Sequence, residues 1–193
     1  MHLFTEQPLA VWQIIKAKHC YNPDPDNSDV MAHLDQDFAD AYDWLIKQFN
    51  QQVPKPKQAT IPIWWWLDNG SRPKEFQEDM PPKPVKIIIE ANYPENQVLL
   101  SDFEKWHYVL NKWYLPKDIN NNSDDYYDQI DQWFDNLSPH RQQTQIQNSW
   151  QRIFDLSSQW PIQANTWSID LDNITKIYTK SKILYERRKF NDT

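Results

Sequence analysis

A chain of 193 residues is long enough for one substantial hydrophobic core and short for two, because globular domains most often contain about 100–150 residues. The formal net charge of −7 argues against a surface that binds nucleic acid, since such surfaces neutralise phosphates with Lys and Arg. No apolar run reaches the roughly 18–20 residues of a membrane span, and the first residues lack the features of a signal peptide. We therefore expect a cytoplasmic protein that does not bind membranes.

The residue counts also exclude several kinds of site. The chain has one glycine, Gly70, whereas a P-loop, a dinucleotide-binding fingerprint and a nucleophile elbow each need several. The five histidines are scattered, so no zinc motif is present, and the sequence identifies no cofactor. Cys20 is the single cysteine, which excludes an intrachain disulfide. We interpret it as a partly buried thiol at a helix end rather than a nucleophile.

The first half of the chain predicts strands and helices in alternation. A short strand over residues 2–6 precedes a helix from Pro8 to about residue 20, because proline fits the first turn of a helix. Apolar residues three and four apart predict a long amphipathic helix over 29–49. The apolar run at 61–67 predicts a buried strand that contains three consecutive tryptophans, and a long loop is expected from there to residue 84.

The second half predicts further strands and helices. Residues 85–91 form a buried strand rich in β-branched side chains, and a helix over 101–113 begins with a capping box of Ser101 and Glu104. The remaining predictions are a polar Asn-rich insert near 118–124, helices at 124–137 and 139–154, strand-like segments at 164–170 and 174–179, and a basic tail at 176–193. We expect the tail to contact the acidic surface of the protein itself, with a polyanion as the alternative.

This order of elements favours an α+β fold over a repeated strand–helix–strand unit. We expect residues 1–193 to form a single compact domain, with a mixed sheet packed by several helices. The helices at 29–49 and 101–113 are both expected to pack on that sheet.

Residues 99–115 contain the most specific motif, Leu-Leu-Ser-Asp-Phe-Glu-Lys-Trp-His-Tyr-Val-Leu-Asn-Lys-Trp-Tyr-Leu. The segment resembles the core motif of an uncharacterised bacterial family described as domain of unknown function 3841. The resemblance also covers residues 4–8 with Trp12, 41–44, 61–66, Trp150 with 153–156, and 163–167. It implies membership of that family but no activity and no site residue, because none is established for the family.

The residues of this motif suggest a site on their own. On the expected helix, Phe103, Trp106, Leu110 and Trp113 form an inward apolar stripe. His107 and Asn111 lie one turn apart at its edge, where they can jointly present hydrogen-bond donors to a ligand. The alternative is a structural histidine, bonded to Asn111 or to a backbone carbonyl. Asp102 stands in the first turn, where a carboxylate complements the helix dipole.

The tryptophan strand supplies a second part of this site. Trp64 and Trp66 share one face of the strand and Trp65 takes the other, because side chains alternate. A pair of indoles on one face can stack on a sugar or a base, and the alternative is that they fill the core. Four polar residues flank the aromatic segments and are pocket-lining candidates, with a surface or capping role as the alternative: Thr5, Gln7, Arg72 and Gln163.

Two functional hypotheses follow from these residues. The first is a domain that binds a small nucleotide- or sugar-like ligand in an aromatic pocket, with an enzymatic role left open. Its tentative ligand-binding residues are Thr5, Gln7, Trp64, Trp66, Asp102, His107 and Asn111. The second is a non-catalytic protein-interaction module that uses exposed tryptophans or the basic tail. The layout is loosely like that of ADP-ribosyltransferase-type proteins, but their catalytic triad is not evident, and the sequence does not determine the oligomeric state.

Overall fold

A computed structural model describes residues 1–23, 36–68, 86–121, 123–156, 161–179 and 182–187. The first turns of the helix predicted at 29–49 and most of the loop predicted before residue 84 lie outside these residues. The described strands are β1 (His2–Pro8), β2 (Cys20–Tyr21), β3 (Ile63–Leu67), β4 (Lys86–Asn92), β5 (Leu99–Asp102), β6 (Ile162–Thr166), β7 (Ile169–Asp170), β8 (Ile174–Tyr178) and β9 (Ile183–Glu186). The α-helices are α1 (Leu9–Lys18), α2 (Gln36–Gln52), α3 (Phe103–Leu110), α4 (Asp124–Asp135) and α5 (Pro139–Ser149).

Seven of the strands form one sheet, in the order β5-β6-β3-β1-β4-β8-β9. Each neighbouring pair in it is antiparallel, and β2 pairs separately with β7. Helices cover this sheet in one compact unit, which confirms the predicted α+β fold, although the sheet is antiparallel rather than mixed. The basic tail contributes to the sheet, because its described part forms β9 and much of β8.

The sheet has two buried faces, and the alternation of side chains decides which residues lie on each. On the α1 face, Val11, Trp12 and Ile15 of α1 pack against a layer of sheet residues. This layer includes Leu3, Ile63, Trp65, Ile87, Ile89, Ala164 and Ile177. On the opposite face, which we call the α3 face, Leu99 packs with residues of α2, α3 and the segment from 150 to 153.

Three aromatic rings attach α2 and α3 to the sheet. Tyr42 of α2 contacts Trp64 of β3 and Trp106 of α3, with 6.0 Å between ring centroids in each case. The centroids of Trp64 and Trp106 lie 5.3 Å apart. Aromatic pairs at such distances stabilise a core by about 0.5–1.5 kcal/mol beyond the area that they bury. The predicted packing of both helices on the sheet is therefore confirmed.

The helix predicted over 101–113 is shorter at both ends. Ser101 and Asp102 belong to β5, and Asp102 rather than Ser101 caps α3, so the predicted capping box is wrong. At the other end, Lys112 has a left-handed backbone with φ of 55°. The chain reverses there, and Trp113 is 57% exposed instead of completing the inward stripe.

We expect Trp106→Ala to lower the free energy of unfolding by about 3–5 kcal/mol, the usual range for truncating a large buried aromatic side chain. Trp106 is 4% exposed and contacts both other rings of the group that joins α2 to the sheet. Denaturant unfolding of the purified variant measures this loss. Trp113→Ala is the matched control, because its side chain is largely exposed, and it should change stability by less than about 1 kcal/mol. Equal losses in the two variants would contradict the packing described for α3.

Candidate functional site

A row of side chains crosses the whole sheet on its α3 face. The register pairs run from Ser101 to Gln163, then to Trp66, Phe4, Glu90, Lys176 and Glu186. Directly opposed residues in antiparallel strands have their side chains on the same face, with Cβ atoms about 4.5–5.5 Å apart. Two aromatic rings, Trp66 and Phe4, thus lie at the centre of the row between polar groups at its two ends.

At one end of this row, Ser101 and Gln163 form an unusual polar group with Asn165, which lies two residues along β6 on the same face. We call these three side chains the polar corner. They are 0%, 9% and 0% exposed. The Ser101 hydroxyl, the Gln163 carbonyl and both polar atoms of the Asn165 amide have no hydrogen-bond partner in the described part of the chain. About 90% or more of buried polar groups in proteins are paired, and leaving one unpaired costs about 1–3 kcal/mol. The polar corner therefore has donors and acceptors available for a bound molecule.

Helix α3 lies over this corner. Its Phe103 ring contacts Trp66 at 5.1 Å between centroids, and the His107 ring contacts Phe103 at 4.7 Å. The Nδ1 atom of His107 is also shielded from solvent and has no partner among the described residues. Of the sequence candidates, Trp64, Trp66 and His107 are thus brought to the same face of the sheet, next to the polar corner.

Trp64 connects the polar corner to α2. It is the register partner of Asn165, and its indole N–H lies near the Tyr42 oxygen without forming a hydrogen bond. Burial raises the pKa of the Tyr42 phenol, and the nearby Trp64 N–H partly opposes this shift. The phenol therefore stays protonated near neutral pH and is a neutral neighbour of the corner.

Thr5 and Gln7 lie elsewhere. They are paired with Ile89 and Ile87 and share their α1 face, so they do not meet His107. The Thr5 hydroxyl donates to the Trp64 carbonyl at 2.8 Å, beyond the last register pair between β1 and β3, and the Gln7 amide donates to the Thr5 oxygen at 3.1 Å. These contacts hold the two strands together where their ladder ends.

Asp102 and Asn111 have roles at the ends of α3. One carboxylate oxygen of Asp102 accepts hydrogen bonds from the backbone N–H groups of Glu104 and Lys105, at 3.0 and 3.2 Å. The exposed Asn111 amide donates to the carbonyl of His107 at 2.8 Å, and not to its ring. The expected joint presentation of donors by His107 and Asn111 is therefore not what the structure shows.

The sequence alone indicates one member of the polar corner, Gln163, as a pocket-lining candidate. It predicts Ser101 as a helix cap and gives Asn165 no binding role, because the Gln-Ala-Asn-Thr run resembles an ordinary strand. A signal was nevertheless present, because polar residues at alternate positions of a strand share one face. What the sequence did not show is that this face is covered by α3.

Glu90, in the other polar part of the row, belongs to a group of titratable side chains. Nδ1 of His2 is 3.0 Å from a carboxylate oxygen of Asp68, and its Nε2 is 3.9 Å from Glu90. The Tyr178 hydroxyl donates to the second Glu90 oxygen at 3.0 Å. These contacts join the start of β1 to the end of β3 and to β4, and they join β4 to β8.

An open concavity on the described surface is separate from this face. It has a volume of about 360 Å³ and is lined by residues of α3, α4, α5 and the segment after α3. None of the seven sequence candidates lines it. Within the described ranges, no three His, Cys, Asp or Glu side chains are placed to hold a metal ion, and no helix there is long and apolar enough to cross a membrane.

We expect Cys20 to react slowly with iodoacetamide near neutral pH. Burial, with a further contribution from Asp170, raises the pKa of its thiol to about 11, so the reactive thiolate is scarce until the pH approaches that value. Alkylation followed by mass spectrometry across a pH series measures this, with the urea-unfolded chain as the control that reacts like free cysteine. A midpoint at or below the usual value of about 8.5 would contradict the environment described.

We expect Asp102→Ala to lower stability by about 0.5–2 kcal/mol, whereas Asp102→Asn should change it by only a few tenths, because both Asp and Asn side chains accept hydrogen bonds at a helix N-terminus. Urea unfolding of the two variants provides the comparison. A large loss in Asp102→Asn would show that the carboxylate charge, rather than the cap, is what matters at this position.

Comparison with known proteins agrees with the resemblance in the 99–115 motif. The sequence profile described as "Domain of unknown function (DUF3841)" matches residues 2–175. No curated protein and no solved structure matches the chain. The match covers most of the sequence and includes every residue of the polar corner as well as α3, so the chain belongs to the DUF3841 family.

Proposed function

We propose that this protein binds a small, uncharged, hydrogen-bonding ligand on the α3 face of its sheet, such as a nucleoside or a sugar. The observation that carries the proposal is the polar corner, where four buried side-chain atoms of Ser101, Gln163 and Asn165 lack partners. Proteins pair nearly all such groups, because burying an unpaired donor or acceptor raises the free energy of the folded state. A ligand that pairs with them would recover that free energy on binding.

The chemistry of the corner favours an uncharged ligand. Its three side chains carry no charge, and together they offer an amide N–H₂ group, two carbonyl oxygens and a hydroxyl. Such a set matches the edge of a nucleobase or the hydroxyls of a sugar, and it lacks the Arg or Lys that usually binds phosphate. Trp66 and Phe103 form the adjacent wall, where a flat ring or the apolar face of a sugar can stack.

A ligand can reach the polar corner only if helix α3, which lies over it, moves. The unpaired atoms are shielded from solvent, whereas Trp66, Phe103 and His107 are only half-buried. The ligand would enter at this half-buried edge and displace α3 from the sheet by a small amount. His107, whose Nδ1 lacks a partner, would then supply one more hydrogen bond from the helix side.

Replacing Asn165 by Leu separates this proposal from a structural role. We expect Asn165→Leu to keep or raise the stability of the ligand-free protein, by up to about 2 kcal/mol, because it removes an unpaired polar group. Thr166→Val is the matched control on the same strand. The Thr166 hydroxyl accepts from the Trp65 indole N–H at 2.8 Å, so its loss should destabilise the protein by about 1–3 kcal/mol.

Thermal-shift screening with nucleosides and sugars then tests binding, since a ligand at a hundred times its Kd adds about 2.7 kcal/mol of stability. The wild-type protein and Trp113→Ala should respond to a ligand, Asn165→Leu should not, and His107→Gln should respond more weakly. If Asn165→Leu is as unstable as Thr166→Val, the amide is bonded in the free protein and the proposal fails. It also fails if no neutral nucleoside or sugar shifts the wild-type melting temperature.

A protein-interaction role is the second candidate, favoured by the exposure of Trp113 and Trp133, which are 57% and 40% exposed. It predicts that Trp133→Ala abolishes association with a partner while the response to nucleosides and sugars is unchanged. In either case we place the function in the bacterial cytoplasm, because the sparse use of cysteine fits a reducing compartment.

A further inference from the structure

Half of the residues that line the concavity of about 360 Å³ are aromatic, and we call it the aromatic pocket. Its lining residues are Tyr108, Lys112, Trp113, Tyr114, Pro116, Tyr127, Ile130, Asp131, Phe134 and Ile146. Helix α4 supplies four of these residues at positions i, i+3, i+4 and i+7, so they form one face of that helix. Small-ligand pockets in proteins usually have volumes of about 300–1,000 Å³ and this kind of lining.

The opposite wall is built by the turn that ends α3. The Trp113 N–H donates to the Tyr108 carbonyl at 2.8 Å and the Lys112 N–H donates to the Val109 carbonyl at 3.1 Å, which is the Schellman pattern. This pattern usually places glycine where Lys112 stands, with φ of 55°. A left-handed residue other than glycine is a strained choice that is common at ligand sites. After this turn the Trp113 ring lies against the Tyr108 ring, with 6.1 Å between their centroids, and both rings line the pocket.

The charge around the pocket is negative. Helix α4 carries Asp124, Asp125, Asp128, Asp131 and Asp135 and no basic residue. Asp131 lies in the wall and has no ion-pair partner in the described chain. The positive charge of Lys112 is matched by Asp40, whose carboxylate is 2.7 Å from its Nζ. A cation entering the pocket would therefore meet aromatic rings and an unmatched carboxylate.

Two tyrosines of the wall, Tyr108 and Tyr127, have phenols that resist ionisation. The pKa of Tyr108 and the pKa of Tyr127 are both raised, first by burial of their phenols. A neighbouring tyrosine, Tyr127 for Tyr108 and Tyr126 for Tyr127, raises each pKa further, and Glu104 and Asp118 respectively contribute in the same direction. Both phenols are therefore neutral at physiological pH, and their rings keep the electron-rich faces that attract cations.

One ring of the pocket already binds a cation from the protein itself. The guanidinium carbon of Arg152 lies 5.6 Å from the centroid of the Tyr114 ring, within the range of a cation–π contact. Arg152 is held there because it also donates to the Leu115 carbonyl. The guanidinium is the one basic group besides Lys112 that the described contacts place at this wall.

We propose that the aromatic pocket binds a small organic ammonium ion, of the quaternary or alkylated amine type. The aromatic rings would surround the alkyl groups of the ammonium, and Asp131 would balance its charge. Recognition by cation–π contacts is worth about 0.5–2 kcal/mol per well-placed ring, and the pocket offers several rings. This site is on a different surface from the polar corner, so the proposal is independent of the function proposed above.

The probes are choline and dimethylbutanol. The second compound, 3,3-dimethylbutan-1-ol, is the neutral isostere of choline in which carbon replaces the ammonium nitrogen. We expect isothermal titration calorimetry of the full chain to show choline binding about tenfold more tightly than dimethylbutanol, which corresponds to about 1.4 kcal/mol. Added salt should weaken the binding of choline and not that of the alcohol. Equal affinities for the two probes, or no binding of choline, would overturn the proposal.

Variants locate the binding site. Trp113→Ala and Asp131→Asn should each weaken choline binding measurably, by up to about tenfold, because each removes one contact. Asp125→Asn is the matched control, since this exposed carboxylate is on the same helix but does not line the pocket. Far-UV circular dichroism confirms that the variants are folded. If Asp125→Asn weakens binding as much as Asp131→Asn, the effect is one of total charge and the assigned site is wrong.

Discussion

Three consecutive indoles on one strand impose the constraint on which the architecture depends. Because side chains alternate along β3, Trp65 lies on one face of the sheet, while Trp64 and Trp66 lie on the other. Both faces must then be covered to remove these large apolar rings from water. Helix α1 covers the first face, and α2 and α3 cover the second, so the tryptophan strand becomes the centre of a layered α+β domain.

Strand β6 shows how the two faces treat polar groups differently. On the α1 side of the strand, the Thr166 hydroxyl accepts from Trp65 and donates to the Ser168 carbonyl, so it is fully used within the fold. One residue earlier, the Asn165 amide is equally buried and has no partner in the described chain. Of these two adjacent residues, Thr166 thus has a structural role, whereas Asn165 has donors and acceptors that the fold does not use. The contrast supports a binding role for the α3 face more strongly than burial alone.

The short length of α3 has a second consequence. If the helix continued to residue 113, Trp113 would lie in the core, and the wall of the aromatic pocket would not form. The left-handed conformation of Lys112 ends the helix and directs the chain back towards α4 and α5. The same helix therefore contributes to both candidate sites, with Phe103 and His107 facing the sheet and Tyr108 facing the pocket.

The sequence by itself determined the elements with strong periodicity. The amphipathic pattern of α2, the β-branched run of β4 and the alternation of Trp64, Trp65 and Trp66 are local properties, so no tertiary information was needed to predict them. The α+β class followed from their order, and family membership followed from the motif around His107. These predictions rest on residues close together in the chain.

Only the tertiary structure decided which polar residues meet. Ser101 and Gln163 are register partners although 62 positions separate them in the sequence, and Thr5 falls on the face away from His107 because of its pairing with β4. The end of α3 was equally hidden, since Lys112 has no intrinsic preference for a left-handed conformation. Helix length, strand register and the partners of buried polar groups depend on contacts between distant segments, and a single sequence does not display those contacts.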